Sequence, residues 1–125
     1  MNLNIPCPFC STVRKVIFET AMSFAILDGF PVSDGHTLII PKRHTPGFFE
    51  LSEEEQADCI RLLNKVKAYL EAKYRPDGFN VGVNVGEAAG QSVPHVHIHL
   101  IPRYAGDVPE PRGGVRGVIP DKRSY

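Results

Sequence analysis

The chain predicts an α+β fold: one small domain in which a mainly antiparallel sheet of five strands carries one long helix. Three observations predict it. Five short stretches have the apolar, β-branched or alternating character of strands. A single stretch in the middle of the chain carries its apolar residues at helical spacing. No internal repeat and no second compositional block divides the 125 residues, so 1–125 is read as a single domain.

Residues 16–18 and 22–27 read as two strands joined by a turn at Glu19-Thr20-Ala21, and 37–41 as a third. The helix follows. Ser52 with Glu55 three residues on forms a capping box, and three acids in the first turn complement the helix dipole. Cys59, Leu62, Leu63, Val66, Tyr69 and Leu70 then make an apolar stripe. Pro76 disfavours helix at Arg75, and Asp77-Gly78 favours a turn, so the helix ends there. Residues 79–85 and 95–101 are the fourth and fifth strands. A helix laid on the sheet buries the stripe. Leu62, Val66, Tyr69 and Leu70 offer more apolar surface than one small sheet covers, which fits a dimer. Residues 104–125, rich in Pro, Gly and Arg, are expected to form an irregular tail. Arg103, Arg112 and Arg116 are candidates to reach the distal phosphates of a long substrate.

Charge and hydropathy exclude some classes. Lysine plus arginine equals aspartate plus glutamate, at 14 each, so the chain has no general pull toward nucleic acid or membrane surfaces. No apolar run is long enough to span a bilayer, and residues 1–6 lack the pattern of a signal peptide. A cytoplasmic location is therefore expected.

The chemistry gathers at one place. His95, His97 and His99 alternate with Val96, Ile98 and Leu100, so one face of the last strand carries imidazoles and the other aliphatic packing. A covered face would require each ring to find a hydrogen bond, a metal or a ligand. Asn84-Val85-Gly86-Glu87-Ala88-Ala89-Gly90-Gln91-Ser92-Val93 leads directly into the histidines. Gly86 and Gly90 permit close backbone approach to an anion, while Asn84, Gln91 and Ser92 offer uncharged donors. A neutral imidazole behind such a loop is a competent nucleophile and acid–base for phosphoryl transfer.

The run from Gly90 through Gln91-Ser92-Val93-Pro94-His95-Val96-His97-Ile98-His99-Leu100-Ile101 resembles the signature of the histidine triad (HIT) family of nucleotide hydrolases and transferases. Asp28-Gly29-Phe30-Pro31 and Gly35-His36-Thr37-Leu38-Ile39-Ile40-Pro41-Lys42 are similar to the family's nucleoside-binding segment. The resemblance implies a HIT-like fold with a short second helix and a two-fold dimer. It implies a hydrolase cleaving at the α-phosphate of adenosine-type nucleotides, either dinucleoside polyphosphates or nucleoside phosphoramidates. On this resemblance His97 attacks phosphorus, His99 assists at the leaving oxygen, and His36 supports the site. Asn84, Gly90, Gln91 and Ser92 contact the phosphates, Asp28 binds the ribose hydroxyls, and Ile26, Leu27 and Phe9 line the base pocket. Transferase branches typically carry glutamine at the third triad position; His99 here favours hydrolysis over nucleotidyl transfer.

Cys7-Pro8-Phe9-Cys10 has the spacing of a zinc knuckle, and no second such pair follows. With Cys59 assigned to the helix core, His44 and His95 are the candidates to complete a tetrahedral site, an arrangement that bacterial members of the family resemble. A structural zinc on Cys7, Cys10, His44 and His95 leaves His97, about 7 Å further along the strand, free for chemistry. A redox pair or two unpaired thiols are the plain alternatives for the cysteines. Two other readings stay open: a catalytic zinc shared by His95 and His97, and a nucleotide-binding signalling module with residual catalysis. A nucleic-acid-binding knuckle is disfavoured by the zero net charge.

Overall fold

The computed structural model describes residues 6–11 and 14–125. Strands β1 (Val16–Glu19), β2 (Ser23–Leu27), β3 (Thr37–Pro41), β4 (Gly78–Val83) and β5 (Ile98–Arg103) form an antiparallel sheet in the order β1-β2-β3-β5-β4. Among the described residues there is one α-helix, α1 (Glu53–Tyr74). It is not apolar enough to cross a membrane. The last strand in the chain thus lies inside the sheet, flanked by β3 and β4.

α1 begins where its capping chemistry places it. The Ser52 hydroxyl accepts the Glu55 N–H at 3.0 Å, and Glu55 Oε1 accepts the Ser52 N–H at 2.9 Å. The helix ends at Arg75, which adopts a left-handed conformation (φ 52°) directly before Pro76. Its apolar stripe packs on one face of the sheet: Cys59, Leu62, Val66 and Leu70 are buried against Ala25, Ile39, Ile98 and Leu100. Asp58 adds a polar anchor on the same face, accepting hydrogen bonds from the hydroxyls of Thr20 and Ser23.

The other face has its own core of Phe24, Ile26, Leu38 and Ile40, covered by Phe9 from the N-terminal segment. Alternation along each strand divides the two cores. His97 and His99 therefore lie on the face opposite α1, as the period of two requires.

Several expectations are corrected. The stripe residues Leu62, Val66 and Leu70 are 0% exposed within the single chain, and Tyr69 is half-buried, so the sheet covers them without a partner. β5 begins at Ile98 rather than at His95. The backbone before it is committed elsewhere: the His95 N–H goes to the Val93 carbonyl and the Val96 N–H to the Thr45 carbonyl, each at 2.9 Å. β4 ends at Val83 rather than residue 85, which frees Asn84 from the ladder. In place of a short second α-helix there are 3₁₀ turns, at Phe48–Glu50 and Glu87–Ala89 before β5. The tail is not wholly irregular. It holds 3₁₀ turns at Gly114–Val118 and Pro120–Lys122, and the first of these lies beside β4.

Two substitutions separate local from packing contributions to this fold. Ser52→Ala removes the cap and is expected to destabilise by about 1 kcal/mol. Leu62→Ala opens a cavity under the helix and is expected to cost about 3 kcal/mol. Urea unfolding monitored by far-UV circular dichroism checks both values and their order.

Candidate active site and metal centre

The three triad rings sit in different hydrogen-bond environments, and those environments assign their protons. The Val32 N–H donates to His36 Nδ1 at 3.1 Å, so His36 carries its proton on Nε2. That N–H faces His99 Nδ1 at 2.9 Å and lies 3.4 Å from Asp28 Oδ2. His99 consequently accepts at Nδ1 and presents Nε2–H. Burial, reinforced by the neighbouring His97 and His36 rings, lowers the His99 pKa to about 4. His36, buried beneath it, is also lowered by burial, against the opposing pull of Asp28.

His97 lies half-buried on the lead-in to β5. Its Nδ1 is 2.9 Å from the His95 carbonyl oxygen, which can only accept, so Nδ1–H donates and Nε2 keeps a free lone pair. The His97 ring packs against Phe9 (centroids 5.1 Å apart) and against His99 (5.1 Å, T-shaped).

In front of His97 and His99 is a cavity of about 430 Å³. Asn84, Gly90 and Ser92 supply polar and backbone groups to its lining, Phe9, Phe30 and Leu38 apolar surface, and Asp28 a carboxylate. Gly90 closes the 3₁₀ turn Glu87–Ala89 with φ 93°, a conformation that disfavours a side chain there. Asp28 is held by its own turn, with Oδ1 accepting the Phe30 N–H at 2.8 Å. The Arg14 guanidinium passes closely over Gly29, which has no side chain to obstruct it, and Arg14 also lines the cavity.

A second constellation lies behind the triad. His95 Nε2–H donates to the Pro41 carbonyl at 2.7 Å, which leaves Nδ1 as a lone pair. That nitrogen is 3.3 Å from Cys7 Sγ, 3.6 Å from Cys10 Sγ and 3.2 Å from His44 Nδ1, and Cys10 Sγ is 3.3 Å from His44 Nδ1. All four ligand atoms lie within 4.8 Å of one another. Two sulfurs and two imidazole nitrogens so gathered, one ring oriented by a backbone carbonyl, form a donor set suited to a tetrahedral soft-to-borderline cation. His44 is positioned through its neighbour: Arg43 is bidentate on Glu55, with N···O distances of 2.9 and 3.0 Å. Those bonds from Arg43, with the Ser52 N–H, hold the Glu55 carboxyl down to about 2.

The structure thus brings together His36, His97, His99, Asp28, Asn84, Gly90, Ser92 and Phe9 in one place, and Cys7, Cys10, His44 and His95 in another. Both His95 nitrogens are turned away from His97, Nε2 to the Pro41 carbonyl and Nδ1 to Cys7, Cys10 and His44, which disfavours a zinc shared by His95 and His97. Gln91, expected on the phosphates, is instead a brace and only 4% exposed. Its Oε1 accepts the Gly86 N–H, and its Nε2 donates to the Pro46 and Val93 carbonyls. Ile26 is 0% exposed, in the layer beneath the cavity, and Leu27 lies on the opposite strand face. Neither lines the pocket. Leu38 does, and its period-two relation to His36 was a usable signal; Phe30 and Arg14, both in loops, had none. Of the tail arginines, Arg103 is bidentate on Asp107 and bonded to Asn80, while Arg116 is bound to the Arg123 and Lys122 carbonyls. Neither lines this cavity.

Comparison with known proteins agrees with this geometry. The family model described as HIT domain matches residues 12–106. Adenosine 5'-monophosphoramidase hnt1 of Schizosaccharomyces pombe is 43% identical over 102 residues, covering 78% of this chain and 74% of that protein. The crystal structure of a HIT family protein from Bacillus anthracis superposes with a TM-score of 0.77 at 38% identity, covering 81% of this chain and 75% of that one. A Zn-bound histidine triad family protein from Mycobacterium smegmatis gives 0.75 at 34% identity, covering 81% and 77%. On the strength of the matched domain and these relatives, the chain belongs to the HIT family.

Proposed function

We propose that this protein is a nucleotide hydrolase that cleaves at the α-phosphate of adenosine-type nucleotides and releases the nucleoside monophosphate through a nucleotidyl-histidine intermediate. The observation that carries the reading is the His97 tautomer: Nδ1–H is tied to the His95 carbonyl, and the Nε2 lone pair is left for attack. Gly90, Ser92 and Asn84 hold the phosphate, Asp28 accepts the ribose hydroxyls, and Phe9, Phe30 and Leu38 enclose the base. Attack by His97 Nε2 on phosphorus breaks the bond to the leaving group. The leaving atom takes its proton at the His99 Nε2 position, and the water that attacks in the second step gives that proton back. As that water attacks phosphorus, His97 is released.

Cys7, Cys10, His44 and His95 hold a structural zinc in this reading. Their donor chemistry and proximity support it, as does the zinc-bound relative. Cys7 and Cys10 would hold it from the N-terminal segment and His95 from the lead-in of β5, so a bound ion would fasten the two together. The residues that act on substrate are those of the other cluster. A two-fold homodimer belongs to the same reading and is checked by sedimentation.

With an α-phosphate substrate, His97→Ala is expected to lower kcat/KM by at least about 10³-fold. The wild type, quenched in alkali, should carry one nucleotidyl group on His97 by mass spectrometry. A wild type that binds AMP tightly yet releases none from any candidate would point to a binding module instead. Protein purified without chelator is expected to contain one zinc per chain by elemental analysis, and Cys7→Ala to lose it together with thermal stability. No metal in the wild type overturns the zinc assignment.

The lowered pKa of His99 also has a consequence for stability. Between about 6.5, the ordinary histidine value, and about 4, the unfolded chain binds a proton at His99 that the folded chain does not. Stability is therefore present above that window and lost as the pH falls through it. His36, lowered in the same direction, adds to the slope. Urea unfolding from pH 7 to pH 4 should show this loss, and His99→Asn should flatten it.

A further inference from the structure

Cys7 and Cys10 bracket Phe9, and these three residues serve two different places. The sulfurs lie in the donor cluster, within 4.8 Å of each other and of the ligand nitrogens of His44 and His95. The Phe9 ring is 7% exposed, packed on Phe24, Ile26, Leu38 and Ile40. Its centroid is 5.1 Å from that of His97, and it lines the nucleotide cavity. The state of the sulfurs is therefore felt at the cavity through Phe9.

Among the described residues, the hydrogen bonds that join residues 6–11 to the rest of the chain all end on these sulfurs. Cys7 Sγ lies 3.3 Å from His95 Nδ1, and Cys10 Sγ 3.3 Å from His44 Nδ1. Without those ties Phe9 is kept in place by apolar packing alone.

The three cysteines differ in what can reach them. Cys10 is exposed and Cys7 half-buried, and Cys7 borders a cavity of about 250 Å³ walled by Pro8, Pro46, Val93 and Pro94. Such apolar walls admit a small uncharged molecule more readily than an ionic one. The turn over residues 8–11 sets the two sulfurs within reach of a disulfide. Cys59 is 0% exposed beneath α1, where burial pushes its thiol up, away from the reactive thiolate.

We propose that Cys7 and Cys10 are a peroxide-sensitive thiol pair, whose oxidation to a disulfide empties the metal centre and loosens the nucleotide cavity through Phe9. The inference rests on the zinc assignment and the nucleotide reading above, and adds a redox control to them. Cys10 Sγ, the more exposed, attacks one oxygen of hydrogen peroxide; the O–O bond breaks, water leaves and a sulfenic acid remains. Cys7 Sγ then attacks that sulfur, the S–O bond breaks, and a second water leaves as the disulfide forms. Two electrons pass from the sulfurs to the peroxide. The two protons that complete the waters come from the thiols, or from solvent where the sulfurs start as metal-bound thiolates. A disulfide offers a metal no thiolate, and His44 and His95 alone are too few donors to hold zinc.

The test compares wild type and Phe9→Ala, purified without chelator, treated with hydrogen peroxide, and then given a dithiol reductant with zinc. Released zinc is read with a chromophoric chelator, the cysteines by peptide mass spectrometry, and the cavity by calorimetric titration with AMP. In the wild type, oxidation is expected to release zinc, join Cys7 to Cys10 while Cys59 stays reduced, and weaken AMP binding by about tenfold. Reduction with zinc should restore the starting state. Phe9→Ala should form the same disulfide and release zinc, but lose no more than about twofold of its already weaker AMP affinity on oxidation. Retained zinc, or sulfinic and sulfonic acids in place of the disulfide, overturns the proposal. So does wild-type AMP affinity that oxidation leaves unchanged, or an equal loss in both proteins. Should Phe9→Ala not fold, the wild-type affinity decides. Wild type that carries no zinc as purified overturns the zinc assignment and this inference with it. Zinc-loaded wild type that does not bind AMP overturns the nucleotide reading instead, and with it the link to Phe9.

Discussion

Much of this molecule depends on the hydrogen bond from His95 Nε2 to the carbonyl of Pro41. It joins the end of β3 to the lead-in of β5 at the point where the strands stop pairing, so it fixes the path of the segment that carries the triad. It also settles both of the other roles of His95. The ring's remaining nitrogen is turned, unprotonated, toward two thiols and a second imidazole. The main-chain carbonyl of the same residue accepts from His97 and keeps that ring's outer nitrogen bare. One residue thus organises the donor cluster through its side chain and the His97 ring through its backbone. This is why two constellations only two residues apart in sequence do not compete for ligands.

Around that point the sheet separates two kinds of work. The face toward α1 is filled by aliphatic residues and by the Asp58 anchor, and it carries neither His97 nor His99. The opposite face has too little of its own helix or sheet to cover it, and Phe9 supplies the lid. Phe9 touches both His95 and His97, with ring centroids 5.9 and 5.1 Å away. Fastening the Cys7–Cys10 segment therefore does more than tie down a terminus. It holds in place the aromatic surface against which the His97 ring rests.

What was legible in the sequence was whatever repeats along the chain or acts within a few residues. The period of two placed His97 and His99 on one face. The 3.6 period and the Ser52–Glu55 box located α1 almost to the residue. What was not legible depended on backbone partners far away in sequence. Gln91 has the composition of a phosphate donor, but its amide is consumed by Gly86, Pro46 and Val93, and nothing local announces that. Ile26 and Leu27 are adjacent apolar residues whose difference, buried layer against exposed opposite face, is set by strand register. The alternation of side chains outlasts the ladder itself, so the pattern puts the start of β5 three residues early. The cavity that His99 shares with Val115 and Val118 has no signal at all, since those valines come near His99 only when the chain has folded back along β4.

The sheet order also bears on how the chain is made. β5 sits between β3 and β4, yet it is synthesised after both. Until it has left the ribosome, the β3 edge that will hold it presents unpaired Thr37, Leu38 and Ile39 to other chains. Its central place means that β4 cannot join the rest of the sheet early, and neither constellation can form before His95 and His97 emerge. The earliest native structure open to the nascent protein is the β1–β2–β3 meander with α1 laid across it. A chain stalled before residue 95 would expose a ready template for strand addition, with the apolar face of Ile26, Leu38 and Ile40 beside it. The strand that carries His99 is thus also the one whose arrival closes the fold against aggregation.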